Sequence, residues 1–196
     1  MDEDPTKEPR FESFVGFHEY LEKTFPLAHS HLKVEKVNTY GLLYTWNGSV
    51  ADLKPTLLMA HQDTVPVLQA TLDQWTYEPW SGHYDGKYVW GRGASDCKNQ
   101  LIGVLEAIEA LLAADFEPKR TILLSFGFDE EVSGPRGAGH LHQAILDRYG
   151  KDSIAVLIDE GMGISEDWGV ALGQPGVAEK GYTGKWCLRC LNSAYD

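Results

Sequence analysis

The chain has 196 residues, 43% hydrophobic and 23% charged, the profile of a folded globular protein rather than a disordered or membrane-embedded one. Its 29 acidic residues against 17 basic ones leave a formal charge of −12, a field that repels nucleic acid and anionic lipid and attracts metal cations. There is no apolar run long enough to span a bilayer, and the start Met1-Asp2-Glu3-Asp4 is acidic where a secretory signal is basic. The chain as written is therefore expected in the cytosol, with no nucleic-acid partner and no membrane segment. Cys97, Cys187 and Cys190 are an odd count, and the Cys187-x-x-Cys190 pair lacks the second ligand pair that a zinc knuckle needs.

Residues 1–10 are polar, include Pro5 and Pro9, and read as a flexible terminus. Phe14, Val15, Phe17, Tyr20 and Leu21 then recur at helical spacing, which predicts a helix from Phe11 to about Phe25, ended by Pro26. Tyr40 to Trp46, followed by the turn dipeptide Asn47-Gly48, reads as a strand and a reversal. Thr56 to Ala60 is a continuous apolar run opened by Pro55, short enough for a strand buried on both faces, and it ends in His61-Gln62-Asp63. Trp75 to Gly93 reads as an irregular loop carrying a short hairpin turned at Asp85-Gly86.

Lys98 to Ala114 carries Leu101, Val104, Leu105, Ile108, Leu111 and Leu112 in one helical stripe. Arg120 to Phe128 is a second buried-type strand, ending in Asp129-Glu130-Glu131. Gly137 to Tyr149 is predicted to be helical, and Ile154 to Ile158 is a third apolar strand, ending in Asp159-Glu160-Gly161. Strands alternating with helices imply an α/β protein with a largely parallel, covered sheet.

Each of the three buried strands delivers acidic or imidazole side chains at its C-terminal end, where ligands bind in open α/β sheets. His61 and Asp63 are spaced so that a metal-bound imidazole can have its other ring nitrogen oriented by the carboxylate. Asp96 follows a glycine-rich loop at the start of the long helix, where it can bridge two cations or, in the simpler reading, cap the helix. Glu130 and Glu131, read as consecutive residues of an extended segment, would point in opposite directions, one to a metal and one to the substrate water. Asp159 is preferred over Glu160 as the third strand's ligand because Gly161 suggests that the chain has begun to turn. His140 and His142 would lie on different faces of a helix and are not read as ligands.

Through Leu58-Met59-Ala60-His61-Gln62-Asp63-Thr64-Val65-Pro66-Val67, Trp90-Gly91-Arg92-Gly93-Ala94-Ser95-Asp96-Cys97-Lys98, Phe128-Asp129-Glu130-Glu131-Val132-Ser133-Gly134 and Leu157-Ile158-Asp159-Glu160-Gly161 the chain resembles the M20 family of metallopeptidases, most closely its fungal carboxypeptidase S branch. The resemblance implies a three-layer α/β/α zinc-exopeptidase-like catalytic domain and a pair of Zn2+ ions. His61 and Asp159 would hold one ion, Glu131 the other, and Asp96 both; Glu130 would be the general base and Asp63 the residue that orients His61. The implied substrates are peptides with a free C-terminus or N-acyl amino acids, and the implied compartment of the full-length enzyme is the vacuole.

By the same resemblance, residues 11–183 form a partial catalytic domain, with Glu179-Lys180-Gly181-Tyr182 leading toward a lid or dimerisation domain. Residues 184–196 replace that lid as a divergent tail. The family's last histidine ligand has no counterpart, so one well-formed zinc site and weak or absent hydrolysis are expected of this chain. The alternative is a non-catalytic metal-binding or partner-binding remnant.

Overall fold

The structure is a computed structural model and describes residues 4–160. The divergent tail, the Glu179–Tyr182 stretch and the Cys187/Cys190 pair lie outside the described residues. Pro5–Lys7 and Pro9–Glu12, where fraying was expected, form short 3-10 turns with Pro5 buried. Phe11 leaves the second of these to join Phe14, Tyr40 and Phe128 in an aromatic cluster with ring centroids 5.3 to 6.2 Å apart. The N-terminal arm is thereby packed against the residue that precedes Asp129.

The elements that follow are α1 (Ser13–Thr24), α2 (Pro26–His31), β1 (Lys33–Val37), β2 (Gly41–Trp46), β3 (Thr56–His61), β4 (His83–Tyr84), β5 (Val89–Trp90), α3 (Lys98–Ala113), β6 (Ile122–Gly127), α4 (Ala138–Tyr149) and β7 (Val156–Ile158). The sequence reading did not include α2 or β1. Pro26 does stop α1, but it also opens α2, where its missing N–H costs nothing. The Glu109 carboxylate on α3 accepts from the Leu27 and Ala28 N–H groups at 2.9 and 2.8 Å, which ties that helix start to α3. β1 alternates lysine and glutamate with two valines and lies partly exposed at the sheet edge, so it carried no apolar run to detect.

The main sheet has the order β1-β2-β6-β3-β7. β1–β2 and β2–β6 are antiparallel, while β6–β3 and β3–β7 are parallel, so the sheet is mixed rather than largely parallel. The antiparallel part follows from β1 and β2, which are joined by a short reversal through Asn38 and Thr39, both at positive φ. β4 and β5 form the separate hairpin expected around Asp85-Gly86.

Helices cover both faces. Leu21 of α1, Phe25 between the helices and Ala28 of α2, with Leu101, Leu105 and Ile108 of α3, pack on Leu42, Tyr44, Trp46, Ala60, Leu124 and Phe126. Leu141 and Ile145 of α4 pack with Leu43, Leu57 and Leu123 on the other face. Alternate residues of one strand thus belong to opposite cores, which is why β2 is buried along its whole length. On the inner side of α1 the buried exception is His18, whose Nε2 lies 2.8 Å from Gln62 Oε1. Burial holds this imidazole below its ordinary pKa, against the opposing effect of the Gln62 bond.

Two outcomes follow from this packing. Leu124→Ala, in the centre of the sheet with no exposed surface, should cost about 2–5 kcal/mol in urea unfolding, whereas Leu68→Ala, 65% exposed, should stay within about 0.5 kcal/mol. For His18, the unfolded chain takes up a proton near pH 6.5 and the folded chain only at lower pH, so the unfolded state binds more protons in that window. Stability should therefore fall as pH drops below about 6.5, and His18→Leu should flatten that part of the profile.

Candidate metal centre

Register places the site. β3 runs beside β6 with His61 opposite Gly127, so the two strands end at the same level and their next residues emerge side by side. His61 is 2% exposed. Its Nδ1 lies 3.0 Å from the Asp63 carbonyl oxygen and 3.3 Å from Asp63 Oδ1. Its Nε2 faces Asp96 Oδ1 at 2.9 Å, Glu160 Oε1 at 3.1 Å and Glu130 Oε2 at 3.7 Å.

Asp63 does more than orient the ring. Its two carboxylate oxygens accept the backbone N–H groups of Glu130 and Glu131, each at 3.0 Å, so one side chain joins the β3 end to the β6 end. Burial would raise the Asp63 carboxyl, but the bonds from His61 and from those two N–H groups outweigh it and hold the group below its ordinary value.

Glu130 and Glu131 lie in a 3-10 turn, Glu130–Val132, and not in an extended segment. They still diverge: Glu130 approaches His61 Nε2, while Glu131 Oε1 accepts from Val65 N at 2.9 Å. The turn is shaped from behind by Asp129, 2% exposed, whose carboxylate accepts the Arg136 and Gly137 N–H groups at 2.8 Å each. A Cβ on Gly137 would come within 2.7 Å of Asp129 Oδ1 and of Phe128 N, so only glycine allows this approach. Burial, then the Glu160, Glu131 and Asp63 charges, raise the Glu130 carboxyl to about 7, against the lowering effect of His61. Burial also raises Glu131, with Asp96 among the charges that add to it.

Asp96 precedes α3, but the helix is capped at Cys97 without any side-chain hydrogen bond. The Asp96 carboxylate, 66% exposed, turns to His61 instead. The Asp96–Cys97 peptide bond is cis. Cys97, which the sequence reading left without a role, is buried with its Sγ accepting from His61 N at 3.1 Å.

On the third strand the geometry brings in Glu160 where Asp159 had been preferred. β7 pairs with β3 as Thr56↔Val156 and Leu58↔Ile158, so two further residues carry Glu160 level with Ala60, one position short of His61. Leu157 lies in the α4-side core, and beyond the end of β7 Glu160 places its Oε1 3.1 Å from His61 Nε2. His142 lines a small apolar cavity with Leu57, Met59, Ser125, Ala138, Ile145 and Leu157, and neither it nor His140 joins the cluster.

Ligand atoms of His61, Asp96, Cys97 and Glu160 all lie within 4.8 Å of one another. Burial would lower the His61 pKa, yet the bonds to Asp63, Cys97 and Glu160 raise it well above its ordinary value. The carboxylates around Nε2 thus call for positive charge at that spot, and an imidazole with carboxylate and thiol neighbours is a donor set suited to a divalent cation such as zinc.

The profile described as peptidase family M20/M25/M40 matches residues 57–184, which spans every one of these groups. The chain belongs to this family. It is 57% identical over 182 residues to carboxypeptidase S of Saccharomyces cerevisiae, covering 91% of this chain and 32% of that protein. It is 40% identical over 175 residues to a Mus musculus N-fatty-acyl-amino acid synthase/hydrolase, covering 86% and 34%. A solved M20 family metallo-carboxypeptidase from Sulfolobus solfataricus superposes with a TM-score of 0.59 at 26% identity, covering 82% of this chain and 34% of that one. The chain thus spans about a third of the length of these relatives. The family implies a divalent metal, and no helix among the described residues is long and apolar enough to cross a membrane.

The choice between the two acids of the third strand can be tested directly. Glu160→Gln should weaken divalent-metal binding by about tenfold or more, while Asp159→Asn should leave it within about twofold, as read by competition with a chromophoric chelator. The reverse order would make Asp159 the ligand.

Proposed function

We propose that this chain carries the metal-binding half of a zinc hydrolase that cleaves the amide bond of a peptide's C-terminal residue or of an N-acyl amino acid. The observation that carries the reading is the meeting of Asp96, Glu160 and Glu130 at His61 Nε2, with Glu130 held near pKa 7 by burial and neighbouring charge. His61, Asp96 and Glu160 would hold one zinc, and Asp96 with Glu131 would contribute to a second. When bound, the metal lowers the pKa of water and polarises the scissile carbonyl.

The chain's own residues supply the proton chemistry. A carboxyl poised near neutrality both accepts a proton from water and returns it to the leaving amine, which suits Glu130 to the role of general base and then general acid. Glu130 is oriented through its backbone, because Asp63 accepts its N–H while also facing His61 Nδ1. Base and ligand are therefore positioned by one carboxylate. Vacuolar residence of the full-length enzyme is proposed from the family resemblance alone.

Glu130→Gln in a full-length version of the chain should lower turnover of a blocked dipeptide or N-acyl amino acid by about 10²–10⁴-fold with zinc content unchanged. Loss of zinc together with activity would make Glu130 a ligand and overturn its role as base.

A further inference from the structure

Between His61 and Asp63 lies Gln62, 1% exposed, and every polar atom of the residue is engaged. Its N–H donates to Gly127 O at 2.8 Å, and its carbonyl accepts from Lys98 Nζ at 2.6 Å. Its side-chain amide donates to Tyr40 O and Phe126 O at 2.8 and 2.9 Å, and its Oε1 lies 2.8 Å from His18 Nε2. These bonds reach β2's entry, β6, α1 and α3. Both amide N–H groups are taken by carbonyls, which cannot donate, so the oxygen must face His18 and His18 Nε2 must carry the proton. His18 Nδ1 is then a bare lone pair, and it has no hydrogen-bond partner among the described residues.

Gln62 sits at the bend that follows β3, with its side chain turned to His18, Tyr40 and Phe126 while His61 and Asp63 face each other at 3.3 Å. Metal centres need their ligands held to about half an ångström, and here the residue between ligand and orienter is fixed by five bonds from four elements. An apolar side chain could fill the same space and would keep the backbone bond to Gly127, but it would lose the three side-chain bonds to Tyr40, Phe126 and His18.

We propose that Gln62 is the positioning residue of the metal centre, fixing the His61–Asp63 turn with His18 on α1 and Lys98 on α3 as its partners. The role in metal binding rests on the proposed function, whereas the geometric role is separable from it. Lys98 is suited to its part because its ammonium lies over the Phe17 ring at 5.5 Å, partly withdrawn from water, and meets a carbonyl rather than a ligand carboxylate. The N-terminal helix, outside the family match at 57–184, thereby becomes part of the site.

The test uses the full 196-residue chain with histidine labelled by nitrogen-15, as parent, Gln62→Met and His18→Leu. In metal-free protein, the His61 Nδ1–H bonded to Asp63 should give a slowly exchanging, downfield proton signal. We expect Gln62→Met to lose that signal and to bind zinc about tenfold or more weakly. His18→Leu, which leaves the amide's other bonds in place, should broaden the signal and weaken zinc binding by a smaller factor. An unchanged signal in Gln62→Met, even with a lower melting temperature, would reduce Gln62 to an ordinary core residue and overturn the proposal. Should Gln62→Met not fold, an unchanged signal in His18→Leu overturns it equally. Failure of the parent to bind zinc would sink the metal reading, while the metal-free signal would still decide the role of Gln62.

Discussion

The site depends on two parallel strands ending at one level. Because His61 on β3 is paired with Gly127 on β6, the residues that follow each strand leave the sheet together, and a single carboxylate, Asp63, can reach both. A slip of one residue in this pairing would turn His61 to the other face and move the Glu130 and Glu131 N–H groups out of reach. The two apolar cores resist such a slip, since Leu57 and Leu123 belong to one and Ala60 and Leu124 to the other.

Negative charge is the second constraint. Asp96, Glu130 and Glu160 share the neighbourhood of one imidazole nitrogen, and Glu131 lies close enough to be raised in part by Asp96. Such a group of acids is costly without a cation, and the cost is visible in the raised Glu130 and Glu131 carboxyls and in the imidazole drawn toward its protonated form. Stability is therefore surrendered locally and supplied by the sheet and by the helices on its faces. The backbone responds in the same manner: Asp129, behind the glutamates, is buried to hold a turn open at Gly137.

Much of the architecture was legible in the chain itself. The stripe of Leu101, Leu105 and Ile108 marked α3, and the apolar runs ending at His61, at Phe128 and at Ile158 marked three of the sheet's strands and the end at which chemistry collects. What escaped was local and had a physical cause. β1 is too charged to show as an apolar strand, and α2 too short to show a period. The glutamate pair was read as extended, but the N–H groups that Asp63 captures are those of a 3-10 turn.

Residue types, their order and their place at strand ends were properties of the sequence by itself, because apolar periodicity reports which segments must be buried and therefore where each one ends. Tertiary structure alone brings Glu160 Oε1 to 3.1 Å from His61 Nε2, since the two residues lie at the ends of different strands. It also decided that Asp96 turns to the imidazole rather than to the helix end, and that Gln62 is bonded at every polar atom. Those facts depend on distances between segments far apart in the chain, and no spacing along one strand can encode the partner that lies across the sheet.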